Sequence, residues 1–352
     1  MTKETPICPN IAKSARFVRH SRTCRAALCC PFGRPLSNVS SRSFADIKAE
    51  MSGWIRMNID RVLPDSPDLI VLPECSSRYN CPAGVKYDDY KQQLKDYYRY
   101  VGDEFTQMLS RVAVENNTII AYSAIRIADD SDKPFRNSTV YIGRSGEVIG
   151  IYDKNYLVIE ENTVSDIAYG ERAELVDLGF AKAATAICFD LNFDELLEDY
   201  AAMRPKLVVF SSMYHGGIRQ AIWAYQCRSY LVSSTKGLPG AILDPFGRTI
   251  AAATNYLPYV TARVNFDFAL CHLDNNWERF AAAKRKYGSA LKVDDPGYIG
   301  YVLLSSEQER LCVDEIIDEF EIERLDDYFA RSVSARTSSL AARGLADGGI
   351  KA

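Results

Sequence analysis

The sequence predicts an α/β fold built on mixed sheets, and three features predict it. Short apolar runs bounded by turn residues alternate with longer segments of three- and four-residue hydrophobic spacing, the pattern of strands layered with helices. Two strand–turn–strand units interrupt the alternation, so the sheets cannot be purely parallel. The chain has 352 residues, 47% of them hydrophobic, enough to bury one large α/β domain or two smaller ones.

Taken in order, residues 1–22 read as a loose polar leader. Arg25–Cys30 reads as a first short strand. Ser43 to Arg61 has helical periodicity, with Phe44, Ile47, Met51, Trp54, Ile55 and Ile59 on one stripe. Leu69–Leu72 (LIVL), stopped by Pro73, suits a strand buried on both faces. Tyr90 to Val114 reads as one long helical region. Its tyrosines, with Tyr87, suit helix-face packing or a subunit contact better than base stacking. Thr118–Ile125 is the next strand. Ser138–Ile142, the turn Arg144-Ser145-Gly146 and Val148–Tyr152 form a hairpin. Lys182–Ile187 and Leu207–Phe210 are apolar strands separated by a helical stretch, Phe193 to Met203. Ala221–Cys227 leads as a short helix into the strand Tyr230–Ser233. Ala241–Leu243 and Thr249–Ala252 flank the turn Asp244–Gly247. From Asp314 the chain is acidic and helical through Tyr328. Ser332–Ala352, rich in Ser, Ala and Gly, reads as a mobile tail. There is no solenoid-type repeat.

Composition excludes several function classes. Net charge is -4 with no dense basic run, a poor basis for dedicated nucleic-acid binding. No apolar stretch approaches the roughly 20 residues that span a bilayer. The N-terminus lacks the apolar core of a secretory signal. The ten cysteines are scattered and include no C-x-x-C pair, which favours a reduced, cytoplasmic state over a disulfide framework. His20, His215 and His272 are far apart, so no metal site is expected.

Three reactive side chains follow strand ends, where α/β sheets tend to bind ligands: Glu74, Lys154 and Cys188. Alone, each has an ordinary explanation: a cysteine after an apolar strand is usually core, a lysine solvated, a glutamate after proline part of a loop. Together, a carboxylate, an ammonium and a thiol could converge in one pocket. A carboxylate would take the thiol proton, the thiolate would attack, and the ammonium would meet the negative charge that develops. His215, in Met213–Gly217, lies just past a strand end and could line such a pocket; the alternative is an ordinary loop residue. Cys75, beside Glu74, reads as packing, and Asp190 as a side chain that holds the loop after Cys188.

The flanks of these residues, LIVLPE (Leu69–Glu74), YDKNYL (Tyr152–Leu157) and AICFDLNF (Ala186–Phe193), resemble the three signature segments of the nitrilase, or carbon–nitrogen hydrolase, superfamily, in that family's order. FRNSTVYIGRSGEVIGIYDK (Phe135–Lys154), WAYQCRSYLVSS (Trp223–Ser234) and ILDPFGRTIA (Ile242–Ala251) resemble its secondary marks, so the likeness runs from Cys24 to Phe266. The resemblance implies a four-layer α-β-β-α sandwich, with a hydrolase domain drawn at 23–313 and an extension at 314–352. It implies Cys188 as nucleophile, Glu74 as general base, Lys154 as oxyanion stabiliser and a second glutamate, Glu161 or alternatively Glu160. Phe189, through its backbone N–H, Tyr156 and His215 are the expected substrate contacts.

The implied activity is hydrolysis of a non-peptide amide or N-carbamoyl bond in a small molecule, without metal or organic cofactor, by a cytoplasmic homodimer or larger homo-oligomer. The alternatives are a nitrilase or acyltransferase of the same superfamily, and a catalytically silent binding protein. Phe189 and Asp190 after the nucleophile resemble the amidase and carbamoylase branches; nitrilases proper carry Trp and Glu there. Tyr156, where many relatives have histidine, and the unfamiliar stretch Glu160 to Ser165 are departures that bear on the substrate.

Overall fold

The structure, a computed structural model, describes residues 23–29 and 42–345 apart from 83, 130 and 238. The leader expected at 1–22 lies outside the described residues. The chain divides into two compact units, Cys24–Val264 and one formed from Asn265 onward.

The first unit begins with strand β1 (Thr23–Cys29) and helix α1 (Phe44–Asp60). A capping box starts α1: the Ser43 hydroxyl accepts from the Asp46 N–H and the Asp46 carboxylate accepts from the Ser43 N–H, both at 3.2 Å. The expected stripe is buried, Ile47, Met51, Trp54, Ile55 and Ile59 among it. After β2 (Leu69–Val71), the single helix expected from Tyr90 to Val114 is two, α2 (Tyr87–Val101) and α3 (Glu104–Asn116). The break falls at Gly102, whose φ of 49° ends α2 at a point the hydrophobic spacing alone runs through. Then come β3 (Ile119–Ile127), the hairpin β4 (Phe135–Ile142) and β5 (Val148–Asp153), and the short helix α4 (Ile159–Thr163).

The second half of this unit runs β6 (Val176–Asp177), β7 (Lys182–Ile187), a 3-10 turn from Cys188 to Asn192, and α5 (Asp194–Met203). It continues through β8 (Leu207–Ser212), α6 (Ile218–Gln226), β9 (Tyr230–Thr235), β10 (Ala241–Leu243), β11 (Thr249–Ala252) and β12 (Tyr259–Asn265).

These strands form two six-stranded sheets, ordered β12-β1-β2-β3-β4-β5 and β11-β10-β9-β8-β7-β6. β1, β2 and β3 are mutually parallel, as are β7, β8 and β9, and the hairpins add the antiparallel strands. The sheets face one another. The Tyr141 and Thr185 hydroxyls bond across at 2.6 Å, and the Ser211 hydroxyl donates to the Leu72 carbonyl at 2.9 Å. α1, α2 and α3 pack on the outer face of the first sheet through Trp54, Leu94 and Leu109. α5 and α6 cover the second through Leu197, Tyr200 and Trp223. This is the four-layer α-β-β-α arrangement that the sequence implies.

Two reversals, β3 to β4 and β4 to β5, point β5 back along β2. The carboxyl ends of β2 and β5 therefore lie on one edge of the first sheet. That places Glu74 and Lys154 together despite the 80 residues between them.

The second unit holds β13 (Phe268–His272), α7 (Trp277–Tyr287), β14 (Leu291–Asp294), β15 (Tyr301–Ser306), α8 (Val313–Glu319) and α9 (Leu325–Ala342). Its three strands form an antiparallel sheet, ordered β13-β15-β14. The second unit begins at Asn265, where β13 to β15 pair with each other and carry their own core of Cys271, Leu304 and Ile316. The tail expected to be mobile from Ser332 is helical to Ala342 and closes at Gly344, where φ is 68°. The alanines that suggested low complexity are also strong helix formers. Among the described residues, no helix is long and apolar enough to cross a membrane.

Candidate active site

Glu74 sits two residues beyond Leu72, on the turn that ends β2, and is fully enclosed at 3% exposure. Its Oε1 accepts from Lys154 Nζ at 3.0 Å and from Asn137 Nδ2 at 2.8 Å; its Oε2 accepts from the Met213 N–H at 3.1 Å. Lys154 follows β5, its own N–H continuing the ladder to the Asn137 carbonyl at 2.8 Å. Its ammonium also donates to Glu161 Oε2 at 2.8 Å. Glu161 accepts from Asn137 at 2.9 Å and from the Val158 N–H at 2.9 Å, while Glu160 is exposed on α4. Of the two alternatives, Glu161 is the one that reaches the lysine.

Cys188 follows β7 with φ of 50°, a left-handed conformation that costs a non-glycine residue on the order of 1–3 kcal/mol. The bend turns the chain from strand into the 3-10 turn and presents the thiol to Glu74. Asp190 holds the bend. Its Oδ2 accepts from the Ile187 N–H and the Tyr152 hydroxyl, both at 2.9 Å, and its Oδ1 from the Tyr156 N–H at 2.7 Å. One carboxylate therefore ties the cysteine's turn to the segment around the lysine.

The ionisation pattern follows from this packing. Burial works against the Glu74 charge, but Lys154 and the Asn137 bond outweigh it and hold the carboxyl below its usual range. Burial also opposes the Lys154 charge, and Glu74 and Glu161 hold the ammonium well above its usual range. Burial, then the Glu74 charge, pushes the Cys188 thiol up to about 12. The resting set is a neutral thiol beside an ionised glutamate and a charged lysine.

Burial pushes Asp190 up to about 7 despite its three donors. A native carboxyl raised above its unfolded value of about 3.9 keeps a proton that the unfolded chain has already lost. Between about pH 4 and 7, its contribution to stability falls as pH rises. The denaturation free energy of the wild type relative to Asp190→Asn is expected to drop by a few kcal/mol across that window. A gap independent of pH would contradict it.

The side chains of the other sequence candidates take part in contacts of their own around this cluster. Tyr156 stacks on Phe193 with ring centroids 3.8 Å apart, and Phe189 meets Phe193 edge-on at 5.1 Å. The His215 side chain is exposed and caps its own turn, accepting from the Gly217 N–H at 3.1 Å. Cys75 is buried core, as expected. Asn137, which joins both glutamates, was missed. Its signal was a polar residue of poor strand propensity in the middle of a buried strand. Among the described residues, no cluster of His, Cys, Asp and Glu could hold a metal ion.

Comparison with known proteins bears on the family and the fold. The chain is 25% identical to nitrilase homolog 2 of Dictyostelium discoideum over 47% of its length, and 26% identical to human omega-amidase NIT2 over 47%. The matches span 50% and 59% of those two relatives. Among solved structures, Saccharomyces cerevisiae Nit3, a member of branch 10 of the nitrilase superfamily, superposes with TM-score 0.54 at 19% identity, covering 69% of this chain and 90% of that one. An amidase from Nesterenkonia sp. gives 0.54 at 17% identity, covering 78% and 100%. At these identities the structures speak for the fold. The carbon–nitrogen hydrolase family model matches residues 46–233, more than half the chain and the whole of the Glu74, Lys154 and Cys188 cluster, so this protein belongs to the carbon–nitrogen hydrolase family.

Proposed function

We propose that this protein hydrolyses a non-peptide amide bond of a small molecule through a thioester on Cys188. The observation that carries the reading is the hydrogen-bond count at Lys154. An ammonium has three donors, and Glu74 and Glu161 take two. The third is left for a substrate oxygen, in a buried site where a donor is worth more than in bulk water.

The steps follow from the groups present. Glu74 accepts the Cys188 thiol proton as sulfur bonds to the amide carbon. With a thiol at about 12, transfer is unfavourable before attack, so the two events proceed together. The carbonyl electron pair moves to oxygen, which meets the third Lys154 N–H and the backbone N–H of Phe189. Glu74 then hands its proton to nitrogen, the carbon–nitrogen bond breaks, and ammonia or an amine departs. Glu74 next takes a proton from water as the water attacks the thioester. The acid leaves, and the sulfur regains its proton. Glu161 positions Lys154 and faces the substrate. The omega-amidase and amidase names among the relatives support an amide over a nitrile, as do Phe189 and Asp190 after the nucleophile.

The test is ammonia release from amide, N-carbamoyl and nitrile compounds sharing one side chain, with mass spectrometry of quenched reactions. The expected result is higher catalytic efficiency on the amide, and an acyl adduct on the Cys188 peptide. Higher efficiency on the nitrile, or an adduct elsewhere, would overturn the assignment.

A further inference from the structure

Helix α9 (Leu325–Ala342) is anchored at its start. Leu325 is buried, the Tyr328 ring stacks on His272 with centroids 3.7 Å apart, and the Tyr328 hydroxyl donates to Asp274 at 2.7 Å. Arg331 donates to both oxygens of Glu323 at 2.9 Å. Beyond that point the helix stands in solvent: every residue from Ser332 to Ser339 is exposed, and Leu340 is half-buried. A helix of a few turns is marginal in water unless one face packs against something. α9 has such a face. At 3.6 residues per turn, Asp326, Phe329, Val333, Arg336, Leu340 and Arg343 fall within an arc of about 100°. Phe329 is 41% exposed and Val333 58%.

The stripe is complementary to itself when reversed. Two copies of α9 can lie antiparallel about a twofold axis between Ser334 and Ala335. Phe329 of one copy then faces Leu340 of the other, Asp326 faces Arg343, and Val333 lies under the aliphatic stem of Arg336. Each contact occurs twice, as a twofold interface requires. A parallel pair would set Asp326 against Asp326 and Arg343 against Arg343, so charge selects the reversed arrangement. Ala330 and Ser332, beside the stripe, are small enough to let the helix axes approach to about 8–10 Å. Residues 1–22, with Glu4 their single acid, cannot meet Arg336 and Arg343 in the same way.

We infer that α9 is a self-association helix through which two copies of this chain pair antiparallel. It lies outside residues 46–233, the part that the family model matches, so the contact belongs to the second unit's own sequence. Three apolar side chains per copy make a contact well below the ~1,200 Å² of a standing interface, so the pairing is reversible and depends on concentration. The inference is independent of the amide reading.

The experiment is sedimentation velocity of the full chain over a hundredfold range of concentration, with a melting curve for each variant. The wild type is expected to gain mass with concentration. The double variant Val333→Glu, Leu340→Glu should lose that step, its association weakened at least tenfold. Neither residue is in the core, so its melting curve should not move. Asp326→Arg and Arg343→Asp should each weaken association several-fold, because each sets like charges opposite one another at two places. Together they should restore it to within twofold; the Val333, Leu340 variant serves if Asp326→Arg fails to fold. A wild type with the same mass as that variant at every concentration would overturn the self-pairing. So would a charge swap that fails to restore association in a folded protein, since the face would then meet some other segment.

Discussion

Replacing Cys188 with alanine is expected to reduce turnover below about a hundredth of the wild-type rate while leaving the fold intact. The two halves of that expectation have separate physical grounds. Chemistry is lost because no neighbouring group can replace the sulfur: the Ser212 hydroxyl beside the thiol is a far poorer nucleophile, and Asp190 is held by the Ile187 N–H and the Tyr152 hydroxyl. The fold is kept because alanine occupies the same space and meets the same left-handed strain at φ of 50°, so the cost of the bend is unchanged. Cys188→Ser should be nearly as inactive, since a hydroxyl is much harder to deprotonate than a thiol and Glu74 is a weaker base than an ordinary glutamate. Steady-state ammonia release with matched melting curves checks both halves. Residual turnover above a hundredth in a well-folded alanine variant would remove Cys188 from the nucleophile's role.

Lys154→Met should lower turnover by about 100- to 1,000-fold, the usual effect of removing one oxyanion donor. It should also destabilise the protein by about 3–5 kcal/mol, because it leaves an uncompensated charge in a buried place. With the ammonium gone, Glu74 and Glu161 keep the Asn137 amide and the backbone N–H donors of Met213 and Val158 but lose their shared cation, and one of the two carboxyls should take up a proton. Adding Glu161→Gln to the lysine variant should recover much of the stability and none of the turnover. Glu74→Gln is the companion variant for the kinetics. Residues that act as a unit give non-additive losses, so the Glu74→Gln, Lys154→Met double variant should be barely slower than either single one. Strictly multiplicative losses would mean that the two groups work independently.

What could be read from the sequence was local. Glu74, Lys154 and Cys188 each follow a short apolar strand, and both hairpins announce themselves through Gly146 and Gly247 in left-handed turns. What could not be read depended on partners distant in the chain. Asn137 finds Glu74 across 63 residues, and nothing around Asn137 in sequence points there. Lys91 lies on α2, whose look as a charged, tyrosine-rich helix gave no sign that this lysine is buried. The break at Gly102 escaped notice because the apolar spacing continues through it. β13 pairs with β15 at separations of 29 to 37 residues, across a helix, which local spacing does not reveal. β14 and β15 pair at only 9 to 15 residues around Asp295-Pro296-Gly297, a turn signal that the short apolar runs beside it did not draw attention to.

Asn137 carries one further consequence, which concerns how the site comes together during folding. Its side chain joins two glutamates, and its carbonyl receives the Lys154 N–H in the hairpin ladder. Side chains alternate faces along a strand, so a slip of one residue between β4 and its neighbours would swing Asn137 to the opposite face and move Lys154 out of reach. A misregistered hairpin could still bury most of its apolar surface, yet it would leave Glu74 enclosed without a cation. The buried charge therefore penalises the wrong pairing far more than lost hydrophobic contact would. The catalytic cluster itself thus selects the register of the hairpin that presents it, and molecules trapped in the shifted pairing should be inactive and short-lived together.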